Sequence, residues 1–218
     1  ARKVAFWMNT LYSPFVRFSE VAKEFLISKD DPEMLQNFTN SWLAEPWEDT
    51  RLKTSIDLVL ARQTEYEEYV VPEWTKVLTA GVDVQETSLY YTIRAWGDYL
   101  TSQNIAHGQV NSFKDIERIM NLEYRMPDGT PMVVALALID SGNDTDRVYD
   151  FCAINSDWAL PSKGASNSMM SHYRLSKVNK SGSRAQGMNL VLVDTGKYKD
   201  MIAGRMQKEN GTGSWMVY

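Results

Sequence analysis

"VLTAGVDVQETSLYYTIRAWG", from Val77 to Gly97, is the stretch on which the fold class turns. Leu78 to Gln85 and Ser88 to Gly97 are rich in β-branched and aromatic residues, and only Glu86-Thr87 separates them, so the pattern predicts an antiparallel hairpin. Asp83 stands inside the first strand with apolar neighbours on both sides. An ionised carboxylate next to a buried strand is costly unless it is paired, hydrogen-bonded or bound to metal. A cap or turn role explains Asp83 poorly, because the strand continues past it.

Downstream of the hairpin the pattern predicts a third strand over Gln103 to Gln109 and a helix over Ser112 to Tyr124. The turn "PDGTP" and an apolar strand from Met132 to Ile139, closed by Asp140, come next. "NDTDRVYDFCAIN" reads as a helix entered through an Asn/Asp cap. An irregular basic segment then leads to the strand "NLVLVD", Asn189 to Asp194, and to a helix from Tyr198 to about Lys208. Strands interleaved with helices in this order predict an α/β protein with a mixed sheet.

Upstream, the first seventy residues read as helical. Ser13-Pro14 predicts an N-cap and first turn, and Phe15, Phe18, Val21, Ala22, Phe25 and Leu26 recur on one face. Asp31-Pro32 restarts a helix with the stripe Met34, Leu35, Phe38 and Trp42. "AEPWEDT" breaks it, and a weaker helix passes through Leu52, Ile56, Val59 and Leu60. These stripes are read as packing.

At 218 residues and 44% hydrophobic content the chain can form one large or two small domains with a real core. No apolar run approaches the roughly 18 to 20 residues that span a bilayer, and "ARKVAFWMNT" lacks a signal-peptide core, so membrane and secretory readings drop out. Cys152 is the single cysteine, and His107 and His172 are too few for a His-rich zinc centre, so any metal ligands are oxygens. The net charge of −5 argues against coating nucleic acid through the whole surface. Yet the window from Ala159 to Val193 holds no acid and carries Lys163, Arg174, Lys177, Lys180 and Arg184. It reads either as a solvated loop or as a phosphate-facing surface.

Three carboxylates share a setting: Asp83 in "GVDVQ", Asp140 after "VVALALI" and Asp194 after "LVLV". Neighbouring strands lie about 4.8 Å apart, so adjacent strands bring their acids to one point, where hard divalent cations bind carboxylate oxygens. Acids at strand ends also serve as helix caps or turn formers. That reading suits Asp140, before "SGND", and Asp194, before Thr-Gly.

In chain order, "NTLYSPFVRFSEVAKEFL", "LQNFTNSWLAEPWED", "LTAGVDVQ", "IDSGNDTDRVYDFC", "PSKGAS" and "VDTGKYKDMIAGRM" resemble the C-terminal portion of the large subunit of tailed-phage terminases of the lambda type. The resemblance implies a helical linker region over residues 1–72 and a ribonuclease-H-like nuclease domain over 73–218. It implies a metal-dependent endonuclease, using two Mg²⁺ or Mn²⁺ ions, that cuts concatemeric double-stranded viral DNA in the host cytoplasm. In the whole assembly the partners would be the terminase small subunit and the portal. Asp83 and Asp140 match the first and second catalytic, metal-holding acids. The third falls on Asp194, although the family's stretch is closer to Gly-Thr-Asp-Thr-Ala-Lys than to "VDTGKYK". Lys163 matches a basic position that would contact DNA, with the rest of the basic window supplying phosphate attraction.

No G-x-x-x-x-G-K-[ST] loop occurs, so the family's packaging ATPase is not expected within this chain. The start without methionine and the stop at "GSWMVY" are expected of a fragment, with residues beyond Tyr218 able to complete the site. Two other readings stand beside the nuclease: an integrase, transposase or junction resolvase on the same fold, and a non-catalytic docking module that binds a portal or small subunit through the N-terminal aromatic helices.

Overall fold

The computed structural model describes residues 8–29, 32–45 and 56–218. Strand β1 (Val77–Val84) alternates strictly: Leu78, Ala80, Val82 and Val84 are buried, while Asp83 faces outward and is exposed. Side chains of a strand leave opposite faces in turn, so the valines beside Asp83 line the core and the carboxylate does not. The expected burial cost at Asp83 is therefore absent, because the strand has one wet face.

β1 pairs antiparallel with β2 (Leu89–Trp96), as the hairpin pattern predicts, and β2 pairs antiparallel with the third strand, β3 (Ser102–Val110). On its other side β1 pairs parallel with β6 (Val134–Asp140), which pairs parallel with β7 (Ala159–Gly164), and β7 with β9 (Asn189–Val193). β8 (Tyr173–Lys177) closes one edge antiparallel to β9, and the short β10 (Trp215–Met216) closes the other beside β3. A two-stranded ribbon of β4 (Tyr124–Arg125) and β5 (Pro131–Met132) stands apart. The eight-stranded order β10-β3-β2-β1-β6-β7-β9-β8, with its flanking helices, is consistent with the ribonuclease-H-like class.

Helices α4 (Phe113–Met120) and α5 (Thr145–Ile154) supply the other half of the core. Ile116, Ile119 and Met120 of α4 and Val148, Phe151 and Cys152 of α5 are buried with Leu78, Ile93 and Ile139 of the sheet. Each such side chain stabilises by about 1.5–3 kcal/mol relative to exposure. Ser112 caps α4 by accepting the Asp115 N–H at 3.2 Å. The last helix, α6 (Thr195–Met206), starts three residues earlier than its apolar pattern predicts, because Asp194 caps it.

Besides β4, three strands lie where the sequence predicts none. The "irregular" basic segment contains β7 and β8, and the C-terminal stretch contains β10. Pro161 argues against a central strand in isolation. Here the Trp158 and Ser162 carbonyls accept from Ala137 and Ser141 of the β6 side, so the Pro161 nitrogen faces β9, whose pairing begins only at Ser162. The missing donor breaks no ladder bond. The helix predicted to reach Tyr124 stops at Met120, and Tyr124 joins β4 instead.

The chain divides into two compact units, Ala1–Lys53 and Thr54–Tyr218. In the first, α1 (Phe18–Ser28) begins after Arg17, whose N–H donates to the Glu20 carboxylate at 3.1 Å. The predicted cap, Ser13, instead accepts the Phe15 N–H at 3.3 Å in a local turn. α2 (Pro32–Asn37) runs into a π-type turn, Phe38–Trp42, where Phe38 stands 5.6 Å from Phe25 and 6.2 Å from Trp42 between ring centroids. In the second unit α3 (Ile56–Leu60) is the predicted weak helix, though Leu52 and most of "AEPWEDT" lie outside the described residues. Residues 64–71 are tied to the sheet unit by Thr64 N–H to the Val217 carbonyl, Tyr69 to Ile105 and Val71 to Arg125. Among the described residues no helix is long and apolar enough to cross a membrane.

Candidate active site

The last pair in the β1–β6 register is Val82 with Ile139, so the next residue on each strand is an acid, Asp83 and Asp140. Both follow core-facing residues and leave the same open face, on strands about 4.8 Å apart. Asp83 is also opposite Tyr90 on β2, and Asp140 opposite Ser162 on β7. A cleft of about 610 Å³ opens here, lined by Asp83, Tyr90, Asp140, Ser162, Gly164 and Thr195 among others. Its floor is low because Gly81 and Gly164 carry no side chain: a Cβ on Gly164 would stand 3.4 Å from the Thr195 methyl. The cleft lies at the carboxyl ends of the parallel strands, where open α/β sheets bind ligands.

Each acid is held by one local donor. Gln85 Nε2 donates to Asp83 Oδ2 at 2.6 Å, and the Gly142 N–H donates to Asp140 Oδ1 at 3.1 Å. Among the described residues, Asp83 Oδ1 and Asp140 Oδ2 accept no hydrogen bond, and neither carboxylate is in an ion pair. Two neighbouring negative charges with free oxygens and no counter-charge attract a cation. Hard oxygen donors in that number suit Mg²⁺ or Mn²⁺, which keep water or substrate oxygens in the remaining positions. Among the described residues no group of three or more His, Cys, Asp or Glu is placed to hold a metal ion.

Asp194 is placed differently. It is 6% exposed, and both of its oxygens are engaged. Oδ1 accepts the Lys197 N–H at 3.2 Å, capping α6, while Oδ2 accepts the Met169 N–H at 2.8 Å and the Ser168 hydroxyl at 3.2 Å. The Met169 and Lys197 amides, then the Ser168 hydroxyl and the Lys197 charge, hold its carboxyl below the usual range. Lys197 Nζ in turn donates to the Met169 and Met170 carbonyls. Val193 and Thr195 line the acid cleft, but Asp194 between them does not. The expected triad is thus gathered as a pair, and the third acid fastens the 168–170 loop to the head of α6.

The basic window also separates. Lys163 and Arg174 are both in register with Leu192, from β7 and β8, and line a second cavity of about 400 Å³ with the Ser166–Met169 loop. Lys163 follows Ser162, so its side chain leaves the face of β7 opposite Asp140. Lys177 Nζ donates to Asn189 Oδ1 at 2.7 Å, and Lys180 forms an ion pair with Asp146 of α5. Arg184 is exposed on the turn before the buried Ala185.

Tyr90, Ser162 and Thr195 are cleft residues that sequence reasoning passes over. The hairpin itself carried a signal for Tyr90: a link of Glu86-Thr87 sets Val84 opposite Leu89 and Asp83 opposite Tyr90. No such local signal exists for Ser162 on β7 or for Thr195 at the head of α6, whose places depend on pairing with strands distant in the chain.

The sequence model of the family described as "Terminase large subunit gpA, endonuclease domain" matches residues 3–218. The chain is 28% identical over 218 residues to the terminase large subunit of Enterobacteria phage P21, covering 95% of this chain and 33% of that protein. It is 28% identical over 174 residues to the terminase large subunit of Escherichia phage lambda, covering 75% of this chain and 27% of that protein. The chain therefore spans about a third of the length of the relatives it matches. No solved structure matches.

Proposed function

This chain belongs to the family of terminase large subunit gpA endonuclease domains, and from that footing we propose a metal-dependent nuclease that hydrolyses phosphodiesters of double-stranded DNA. Its biological substrate is concatemeric viral genome DNA, cut for packaging in the host cytoplasm alongside a terminase small subunit and a portal. The observation that carries the reading is the pair of neighbouring, uncompensated carboxylates, Asp83 and Asp140, in one open cleft.

Asp83 and Asp140 would hold the ion through the oxygens that accept no other bond. Bound Mg²⁺ or Mn²⁺ supplies charge neutralisation at the phosphate and a lowered pKa for an attacking water. Gln85 and the Gly142 amide fix the two carboxylates, so little reorganisation accompanies binding. The hydroxyls of Tyr90, Ser162 and Thr195 line the same cleft and can donate to non-bridging phosphate oxygens. Lys163 on β7 and Arg174 on β8, on the far side of the sheet edge from the acids, would attract flanking phosphates without reading sequence. Asp194 acts on this site by position, holding the loop and helix that bring Thr195 to the cleft.

Calorimetric titration with Mn²⁺ and plasmid cleavage test the reading together. Binding and cutting by the wild-type chain, with both lost in Asp83→Asn and Asp140→Asn, is the expected result. Full cutting by either folded variant removes the assignment, and a wild-type chain that binds no Mn²⁺ favours a docking module.

A further inference from the structure

Arg94 on β2 is 5% exposed, and among the described residues it has no carboxylate partner. Two of its N–H groups donate to a single acceptor, the Met216 carbonyl, at 3.1 and 2.6 Å, and its guanidinium lies 3.6 Å from the centre of the Trp215 ring. A neutral amide side chain could satisfy that carbonyl. A buried charge without an anion is costly, and burial alone pulls this guanidinium down to about 9, which still leaves it cationic at neutral pH.

The charge lines a cavity of about 240 Å³ with Thr79, Gly81, Thr92, Asn104 and Trp215 among its walls. Asn104 Nδ2 donates to Thr92 Oγ1 at 2.7 Å, which leaves the buried Asn104 Oδ1 without a hydrogen bond. An amide's oxygen and nitrogen exchange by a half-turn. In the turned form Thr92 donates to Oδ1, and Nδ2 becomes an unpaired buried donor on the residue in register with Arg94. The walls then offer positive charge and donors, which is the chemistry of an anion site.

Gly81 and Thr92 line both this cavity and the Asp83–Asp140 cleft, so the two are continuous along the open face of the sheet. Arg94 is in register with Thr79, four residues from Asp83 on β1, which is about 13 Å along a strand. That is a span of a few nucleotides at about 3.4 Å of rise each. We propose that the Arg94–Asn104 cavity is a phosphate-binding subsite that grips the DNA strand a few nucleotides from the bond to be cut. The identity of the ligand rests on the nuclease reading; the anion site itself does not.

The test is duplex binding by the full 218-residue chain in EDTA across a range of salt. Arg94→Gln keeps a donor for the Met216 carbonyl, and Asn104→Asp sets a negative charge in the cavity. Each is expected to weaken binding about tenfold and to lower the slope of log K against log salt by about 0.9, the share of one phosphate. Wild-type affinity and slope in both folded variants overturn the subsite and leave the nuclease reading standing. Should Arg94→Gln fail to fold, Asn104→Asp decides alone. A wild-type chain that binds no DNA sinks the nuclease reading instead, and inorganic phosphate then judges the cavity by NMR. Saturable shifts of the Arg94 Nε–H and the Trp215 indole N–H, lost in Asn104→Asp, retain the anion site, and their absence overturns it.

Discussion

The acids at the ends of β1 and β6 and the acid at the end of β9 look alike in sequence and behave differently in the fold. Asp194 takes three donors, from Lys197, Met169 and Ser168, and is buried beneath them. Asp83 and Asp140 take one donor each and keep a free oxygen facing a cleft. A carboxylate with both oxygens engaged by the protein has less to offer a ligand than one that keeps an oxygen free. Donor count, rather than location at a strand end, separates the two.

The largest effect that could break this contrast is on cutting. Asp83→Asn and Asp140→Asn should each lower plasmid cleavage by at least about a hundredfold, the scale of removing one electrostatic stabiliser, with unchanged circular dichroism. Asp194→Asn should do the reverse: Mn²⁺ binding by calorimetry persists, while the melting temperature falls by a few degrees. The sign of its pH dependence follows from the depressed carboxyl. The stabilisation is complete above the ordinary aspartate pKa, about 3.9, and is lost as pH falls through the lower folded value. Wild type and Asp194→Asn should therefore differ in melting at pH 6 and converge in strong acid. Loss of Mn²⁺ binding in Asp194→Asn would instead return it to the ligand set.

Smaller effects sharpen the division of the basic window. Lys163→Ala and Arg174→Ala should each reduce the salt slope of DNA binding by about one, by fluorescence anisotropy. Lys180→Ala should change it least, because its charge is already matched by Asp146, and an exposed pair of that kind contributes within about 0–1 kcal/mol to stability. Equal slopes for all three variants would mean that the window acts as one diffuse patch.

Much of the scaffold was legible. The hairpin, β3, α4, β6, α5 and β9 all follow from apolar periodicity and turn residues, which are local properties. β7 and β8 were not, since "ALPSKG" and "YRLSK" lack a strand-like composition and become strands through their neighbours' hydrogen bonds. Arg94 gave no sign either, for nothing nearby in sequence says that Trp215 and Met216 return to cover it.

Sequence by itself determined the acids, their strands and the family likeness, because residue identity, period and order are properties of a linear chain. Tertiary structure alone decided that β1 lies beside β6 and so joins Asp83 to Asp140. It also decided that the 168–169 loop folds back to occupy Asp194. Both are contacts between residues far apart in the chain, and how many donors a carboxylate meets depends on what those contacts bring to it.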